Sequence, residues 1–532
     1  MDRETQLTVA YQFEFVLFLV AACLVLTVVA RRLHLPVAGA LLLGGIVLAM
    51  IPGMPSFTLD PDLVLVLFLP PLLLLSAYRT DWRALRADLR IILQLAIGAV
   101  IFTTLAVGLL THILVPALPW SACFALGAIV SPPDAVAAKA VLQGLRLPSR
   151  TVTLLEAESL LNDATGLVLY RLAVVAALTG AFNGASAALS FTSLIAGGVV
   201  LGTVCGFAAS AIIGRFLTGE TGVVAGFLAA WGSYILGDAA HVSSVLATVS
   251  CGIVMGWRQH SLIDAEQRLH ARAVWRVISF LLESLIFIMI GLSLRSIFVR
   301  VAAADNEGSL IAQVSAITLT VIVARFLWIM VTAYGLRALL PALRRRDPYP
   351  PLRVTLVMSW AGMRGVVSLA AALALPNQFP GRDLILIATF AVILVTVLVQ
   401  GSTLAPLIRW LNFDKAAVAP SATLSEAQTR LRVVSAQLSA LEVLSLQENG
   451  IHRHPRLVEQ YRFKLGAIGR AIEAQGALDR VRTDHFDVVL AALAKGRNEL
   501  LDLYRQGKVD NETLRVMEME LDTEEVRARQ FL

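Results

Sequence analysis

The sequence predicts an all-α polytopic membrane protein that ends in a cytoplasmic helical tail. Three observations carry that prediction. The 532 residues are 57% apolar and only 15% charged, whereas a soluble domain carries about 25% charged residues. Apolar runs near the ~20 residues that a helix needs to cross a bilayer recur as far as about residue 410. Arginines gather in alternate loops between those runs, the asymmetry that marks cytoplasmic loops.

Thirteen transmembrane spans fit the runs: 11–30, 36–52, 63–78, 89–114, 120–142, 152–177, 189–213, 222–236, 242–257, 273–298, 311–336, 353–375 and 384–410. The polar start MDRETQLTVA has no basic n-region, so span 1 is expected to be a retained helix rather than a cleaved signal. Spans 8 and 9 are short. The loops after odd-numbered spans hold Arg31 and Arg32, then Arg79, Arg83 and Arg86, then Arg146 and Arg150, Arg215, Arg258, Arg268 and Arg272, and finally Arg344, Arg345 and Arg346. The first loops on the other side, including IPGMPSFTLDPD and VPALPW, hold neither Lys nor Arg. The alternation puts the N-terminus outside and the C-terminus in the cytoplasm. This placement accounts for the surplus of 44 basic over 38 acidic residues without a nucleic-acid partner.

Composition shifts near Asn412, dividing the chain into a transmembrane domain, 1–411, and a cytoplasmic helical domain, 412–532. In the latter, Thr423-Leu-Ser-Glu426 reads as a capping box. Leu431, Val434, Leu438 and Leu441 then trace one apolar helix face.

Two spans are expected to be discontinuous. Span 5 contains Ser131-Pro132-Pro133-Asp134, where two prolines remove two backbone donors. Span 12 contains Gly362-Met363-Arg364-Gly365, where glycines weaken a helix around a buried charge. Seven spans apart, the breaks enter the membrane from opposite sides. That spacing predicts inverted repeats, spans 1–6 matching 8–13, with an ion site at the breaks.

Span 6 carries Glu156, Glu158, Ser159, Asn162 and Asp163 in an otherwise apolar helix. An intramembrane carboxylate is costly and marks an ion or proton site. Asp163, Asn162, Ser159 and Asp134 offer the hard oxygen ligands that suit Na⁺, and a proton competes with the cation for Asp163. Glu158, Asn162 and Asp163, at i, i+4 and i+5, are read as sharing a helix face. Arg325, in the middle of span 11, requires a buried partner; Glu158 is the first expected and Glu156 the second. Arg364 is expected to neutralise carbonyl ends at the second break. Glu283 is a further intramembrane acid, either ion-paired or lining a pathway. Arg171 is placed toward the bundle, and His241 reads as a structural histidine.

Several classes find no support. The sequence has no Walker A loop, no HExxH and no Cys/His cluster, which removes a self-contained ATP-driven pump and a catalytic metal. No nucleophile is paired with a base, so an enzyme is not expected, nor is a cofactor. Cys23, Cys123, Cys205 and Cys251 lie in apolar runs and read as buried thiols.

AIVSPPDAVAAKAVL, ESLLNDATGLVLY, HVSSVLATVSCGIVMG, IVARFLWIM and GMRGVVSLAAALALP, with FLPPLLLLSAY at Phe68–Tyr78, resemble the cation/proton antiporter family in its sodium/proton exchanger branch. The resemblance spans roughly residues 10–410. It implies a thirteen-helix homodimer working by elevator-like alternating access. It makes Asp163 the ion-binding aspartate, Asn162 the asparagine associated with electroneutral exchange, and Asp134 the aspartate of the first crossover helix. It pairs Glu158 with Arg325, puts Arg364 on the second crossover helix, and sets Ser159 near the ion. The family often has Thr or Val where Pro133 stands, leaving only a backbone carbonyl as a ligand. Many members also carry an acid in the third-span motif, which PPLLLLSAY lacks. The expected function is therefore one-for-one exchange of Na⁺, and of Li⁺ with it, for H⁺ across the plasma membrane of a bacterium (the inner membrane). A K⁺/H⁺ antiporter is the nearest alternative. A channel, or an ion-gated sensor signalling through the tail, is the remote one.

Overall fold

The computed structural model describes residues 3–529 except 34, 52–65, 135–146, 181–183, 218, 263–264, 303–306, 340–344, 346, 348, 412–425, 447–451, 474–477, 507 and 510. The chain forms two compact units, Met1–Ala416 and Ala417–Leu532. The described residues are helical, with no strand among them beyond the isolated bridge Leu446–His452.

The first unit opens with α1 (Arg3–Arg32), α2 (Val37–Met50), α3 (Leu69–Arg79) and the short α4 (Trp82–Ala87). Next come α5 (Leu89–Leu114), α6 (Trp120–Val130), α7 (Ser149–Thr179) and α8 (Gly184–Phe216). They are followed by α9 (Gly219–Ala239), α10 (Ser244–Leu262), α11 (Ala265–Ala302) and α12 (Glu307–Met330). The broken pair α13 (Leu352–Trp360) and α14 (Val366–Leu373) precedes α15 (Arg382–Trp410). Among the described residues, helix covers at least part of every expected span, and eight helices are long and apolar enough to cross a membrane.

Local chemistry sets several boundaries. Pro148 and Pro351 directly precede α7 and α13; a fixed φ near −65° is compatible with the start of a helix, and the first N–H groups have no intrahelical acceptor in any case. Asp81 caps α4 by accepting the Arg83 N–H at 2.8 Å. Gly180, at φ +68°, closes α7 in the left-handed region.

Three helices show how boundaries differ from the sequence expectation. α9 extends past both ends of 222–236 and α10 past the end of 242–257, because the small and polar residues at their ends lower hydropathy without breaking the helix. α11 begins at Ala265 rather than 273, which brings Arg268 and Arg272 into a helix instead of a loop.

Large apolar side chains line the outside of this unit: Val25, Leu105, Leu109, Val200, Leu228 and Leu319 are all more than half exposed. Apolar surface on this scale suits hydrocarbon, where helices satisfy their own backbone groups. Close packing depends on small residues. A Cβ on Gly45 of α2 would strike the Ile288 carbonyl of α11, and one on Gly202 of α8 would strike Ala247 of α10. Gly, Ala and Ser at such crossings let backbones approach closely, which is how helices gain contact in lipid.

The second unit contains α16 (Glu426–Ser445), α17 (Pro455–Glu473), α18 (Leu478–Arg505) and α19 (Asn511–Arg529). Val434 and Leu438 are buried, and Leu431 and Leu441 half-buried, on the apolar face expected of α16. Thr423 of the expected capping box lies outside the described residues. Arg497 of α18 bridges Asp522 at 2.5 Å and Glu525 at 2.7 Å on α19; both carboxylates hold its guanidinium above the ordinary arginine range.

Candidate functional site

Two helix breaks meet inside the first unit. α6 stops at Val130, and Ser131–Asp134 are non-helical because Pro132 and Pro133 have no N–H to donate. The expected continuation of that span, 135–142, falls outside the described residues. α13 and α14 are separated by the non-helical segment Ala361–Gly365. The breaks are tied directly: the Asp134 N–H donates to the Met363 carbonyl at 2.7 Å. The Asp134 side chain lies against Gly365 so closely that a Cβ on that glycine would overlap its carboxylate. A glycine at this position is therefore a steric requirement.

Helix ends created by the breaks carry unsatisfied carbonyls and partial negative charge. Two buried arginines answer them. Arg364, 1% exposed, donates through Nε to the Val130 carbonyl at 2.8 Å and through Nη1 to the Gly362 carbonyl. Its own backbone N–H donates to Thr396 Oγ1 at 3.0 Å. Arg325 of α12 donates to the Met358 carbonyl through Nη2 at 3.0 Å and Nε at 3.3 Å. The same guanidinium grips Glu158 in a two-pronged pair, Nη1–Oε1 at 2.6 Å and Nη2–Oε2 at 3.1 Å. A buried ion pair needs this kind of complete hydrogen bonding to offset desolvation.

Glu158, Ser159, Asn162 and Asp163 of α7 have different surroundings. Glu158 faces Arg325. Asn162 donates Nδ2 to the Pro133 carbonyl at 2.9 Å, clamping α7 onto the first break. Its Oδ1 is buried without a hydrogen-bond partner among the described residues. Ser159 and Asp163 instead line a small cavity with Asp134, Glu283 and Ser368. The cavity holds about 60 Å³, room for a few waters. Asp134 lies within electrostatic range of Asp163. Two such carboxylates in a confined, poorly solvated space repel each other, and one proton or one small cation relieves that repulsion.

The structure thus brings Asp163, Asp134 and Ser159 together with Glu283 in one cavity wall, and Glu283 also lies within electrostatic range of Arg79. It does not bring Asn162 or the Pro133 carbonyl into the cavity wall; they satisfy each other. Glu158, Asn162 and Asp163 do not converge on one site, because i+4 and i+5 differ by a full residue rotation. Arg171 does not point into the bundle: its side chain is 51% exposed and lies 3.5 Å from Asp238. His241 sits at φ +54° in the turn after α9. Sequence reasoning missed Thr396 and Gly365. An isolated hydroxyl in an apolar helix gives no signal of its own, and the glycine was read only as a helix breaker.

A cavity lined by carboxylates between two broken helices, in an all-helical membrane unit, defines a secondary ion transporter. Comparison with known proteins gives the particular family. The profile described as "Sodium/hydrogen exchanger, transmembrane" matches residues 18–410. An uncharacterised Na⁺/H⁺ exchanger of Mycobacterium tuberculosis is 32% identical over 525 residues, 96% of this chain and 95% of that protein. A sodium, potassium, lithium and rubidium/H⁺ antiporter of Bacillus pumilus is 30% identical over 491 residues, 88% of this chain and 70% of that protein. The sodium proton antiporter MjNhaP1 of Methanocaldococcus jannaschii shares the fold at a TM-score of 0.59 and 20% identity, covering 76% of this chain and 99% of that one. The chain belongs to the sodium/hydrogen exchanger family, whose members are cation/proton antiporters and not enzymes.

Proposed function

We propose that this chain exchanges Na⁺, and Li⁺ with it, for H⁺ one for one across a bacterial plasma membrane, the cation and the proton competing for Asp163. The observation that carries the reading is the contrast on α7. Glu158 is neutralised by Arg325, whereas Asp163 faces a cavity with Asp134 and Ser159. One acid is fixed in charge and the other is available for exchange, which supports electroneutral one-for-one coupling. Asn162, an amide rather than a second acid, supports the same count.

An inward direction of access is supported by a second, larger cavity of about 1210 Å³, which shares Leu72, Ser76, Glu283 and Phe287 with the first. Its wall includes Arg31, Arg79 and Arg272. These belong to the arginine-rich side that the positive-inside rule assigns to the cytoplasm. In this reading the structure is the inward-facing state, and alternating access moves the paired breaks so that Asp163 meets the other side. A homodimer with the N-terminus outside belongs to the same proposal; the family resemblance supports the dimer and the alternation of arginines between loops supports the orientation.

A second reading is favoured by one relative. The Bacillus pumilus antiporter carries potassium and rubidium in its name as well as sodium and lithium. The same oxygen-lined cavity then takes alkali cations broadly.

Purified protein in vesicles with a pH dye inside tests both readings. Imposed Na⁺ or Li⁺ gradients are expected to drive proton movement that survives a clamped membrane potential. The apparent KM for Na⁺ is expected to rise as pH falls, because protons compete for the same carboxylate. Equal rates with K⁺ and Rb⁺ would replace the first reading by the second. Currents without proton counter-flow would overturn both.

A further inference from the structure

The larger cavity has a composition that cation exchange does not explain. Five arginines line it: Arg31 from α1, Arg79 from α3, and Arg268, Arg272 and Arg276 from α11. The last three are spaced i, i+4 and i+8, so they form one face of α11. Among the described residues only two acids, Glu156 and Glu283, share the wall, a surplus of three positive charges within that set. Arg79 feels Arg272 and Arg276 as well as both glutamates, so these charges act on a common volume. A cation moving toward Asp163 through this space meets net repulsion. The remaining wall is greasy. Leu24 and Val28 of α1 and Val277 of α11 line the cavity and are each more than half exposed, so the cavity continues onto the bilayer-facing surface.

We propose that this vestibule binds a phosphate-bearing anion, best met by the headgroup of an acidic phospholipid whose acyl chain lies along the α1–α11 wall. Guanidinium groups fork onto phosphate oxygens and discriminate little between phosphate carriers. Basic pockets between membrane helices on the cytoplasmic side suit such headgroups. The volume of about 1210 Å³ far exceeds what a hydrated alkali cation needs and exceeds the usual range of small-molecule pockets. Bound there, the anion cancels the surplus charge and lowers the electrostatic barrier to the cation, so it acts as an activator.

The test compares wild type with a variant carrying Arg268→Gln, Arg272→Gln and Arg276→Gln. A second variant carrying Arg272→Lys and Arg276→Lys keeps the charge and reports whether folding is the issue. Native mass spectrometry of the full-length protein with phosphatidylglycerol reads binding directly; that result does not depend on the exchange reading, on which the transport result rests. Wild type and the lysine variant are expected to retain the lipid, and the glutamine variant to lose it. In vesicles, adding phosphatidylglycerol to phosphatidylcholine is expected to lower the wild-type apparent KM for Na⁺ about five-fold. Surface potential acts on every variant alike, so only the excess over the glutamine variant counts. Inorganic phosphate inside pure phosphatidylcholine vesicles separates the sources: reproducing the shift supports the site with a soluble phosphate as its occupant. Lipid retention equal in wild type and the glutamine variant overturns the proposal, as does an identical lipid dependence of KM in the two. If wild type moves no Na⁺ in any vesicle, the exchange reading fails while lipid retention still decides this one.

Discussion

Glu158 and Asp163 are acids on the same helix, five residues apart, and both are buried: 1% and 7% exposed. Their surroundings are opposite. Glu158 is held by both prongs of Arg325, which also takes the Met358 carbonyl at the end of a half-helix. Asp163 borders a small cavity with two further carboxylates, Asp134 and Glu283. Burial alone therefore does not distinguish a structural acid from a working one; the neighbour does. A permanent cation neutralises the first; in the proposed exchange an exchangeable one neutralises the second.

The sharpest way to break this comparison is Asp163→Asn. The amide keeps the volume and removes the exchangeable charge, so proton movement driven by Na⁺ should fall to the level of protein-free vesicles. Thermal unfolding in detergent should stay near wild type, because the change deletes an uncompensated carboxylate rather than a packed pair. Residual Na⁺-driven proton flux would move the working role to another acid, with Asp134 and Glu283 next in line.

Arg325→Ala should have the opposite signature, a loss of stability before a loss of chemistry. It strands Glu158 and two carbonyl contacts in a dry interior, and breaking such a pair costs about 3–5 kcal/mol. Glu158→Leu combined with Arg325→Met should recover much of that, because a packed apolar pair of similar size often replaces a buried ion pair at little cost. Chemical or thermal unfolding of the three proteins decides it. If the double variant is no more stable than Arg325→Ala, the Met358 carbonyl rather than Glu158 is what the guanidinium chiefly satisfies.

How far the sequence revealed this site depended on the type of interaction. Charges in greasy helices are legible because their cost is large and local: a lone Arg325 demands an acid, and Glu158 was the first candidate. Broken helices are legible because Pro132, Pro133, Gly362 and Gly365 act on their own backbone. Contacts that depend on how two breaks meet were not legible. Asn162 donating to Pro133, Arg364 reaching Val130 and Thr396 holding the Arg364 N–H each join residues at least 29 positions apart. Each also involves a backbone carbonyl or N–H, present at nearly every residue and therefore silent in sequence. The arginines of α11 show a related difficulty: their helical spacing is visible, but hydropathy assigned two of them to a loop.

Gly365→Ala probes that hidden geometry. The added methyl would overlap the Asp134 carboxylate, so Asp134 must move away from the cavity or the breaks must separate. Misplacement of a working group by about 1 Å can cost a hundred-fold in rate, and a loss of roughly ten- to a hundred-fold in exchange is expected here. The apparent KM for Na⁺ should rise, while expression and unfolding temperature change less than for Arg325→Ala. Unchanged exchange would mean that Asp134 does not need its present position.

The smallest effect belongs to Arg171, on the same helix as the two acids and two turns beyond Asp163. Position alone made it a candidate for the bundle interior. In the structure it lies 3.5 Å from Asp238, with 51% and 66% of the two side chains exposed. Exposed pairs contribute about 0–1 kcal/mol, since water screens the attraction and both side chains lose freedom to make it. Arg171→Ala should therefore change stability by less than about 0.5 kcal/mol and leave the rate and apparent KM of exchange at wild-type values. A large loss of transport would show that charge at this end of α7 reaches Asp163, and that the contrast between locked and exchangeable acids extends past the two residues that define it.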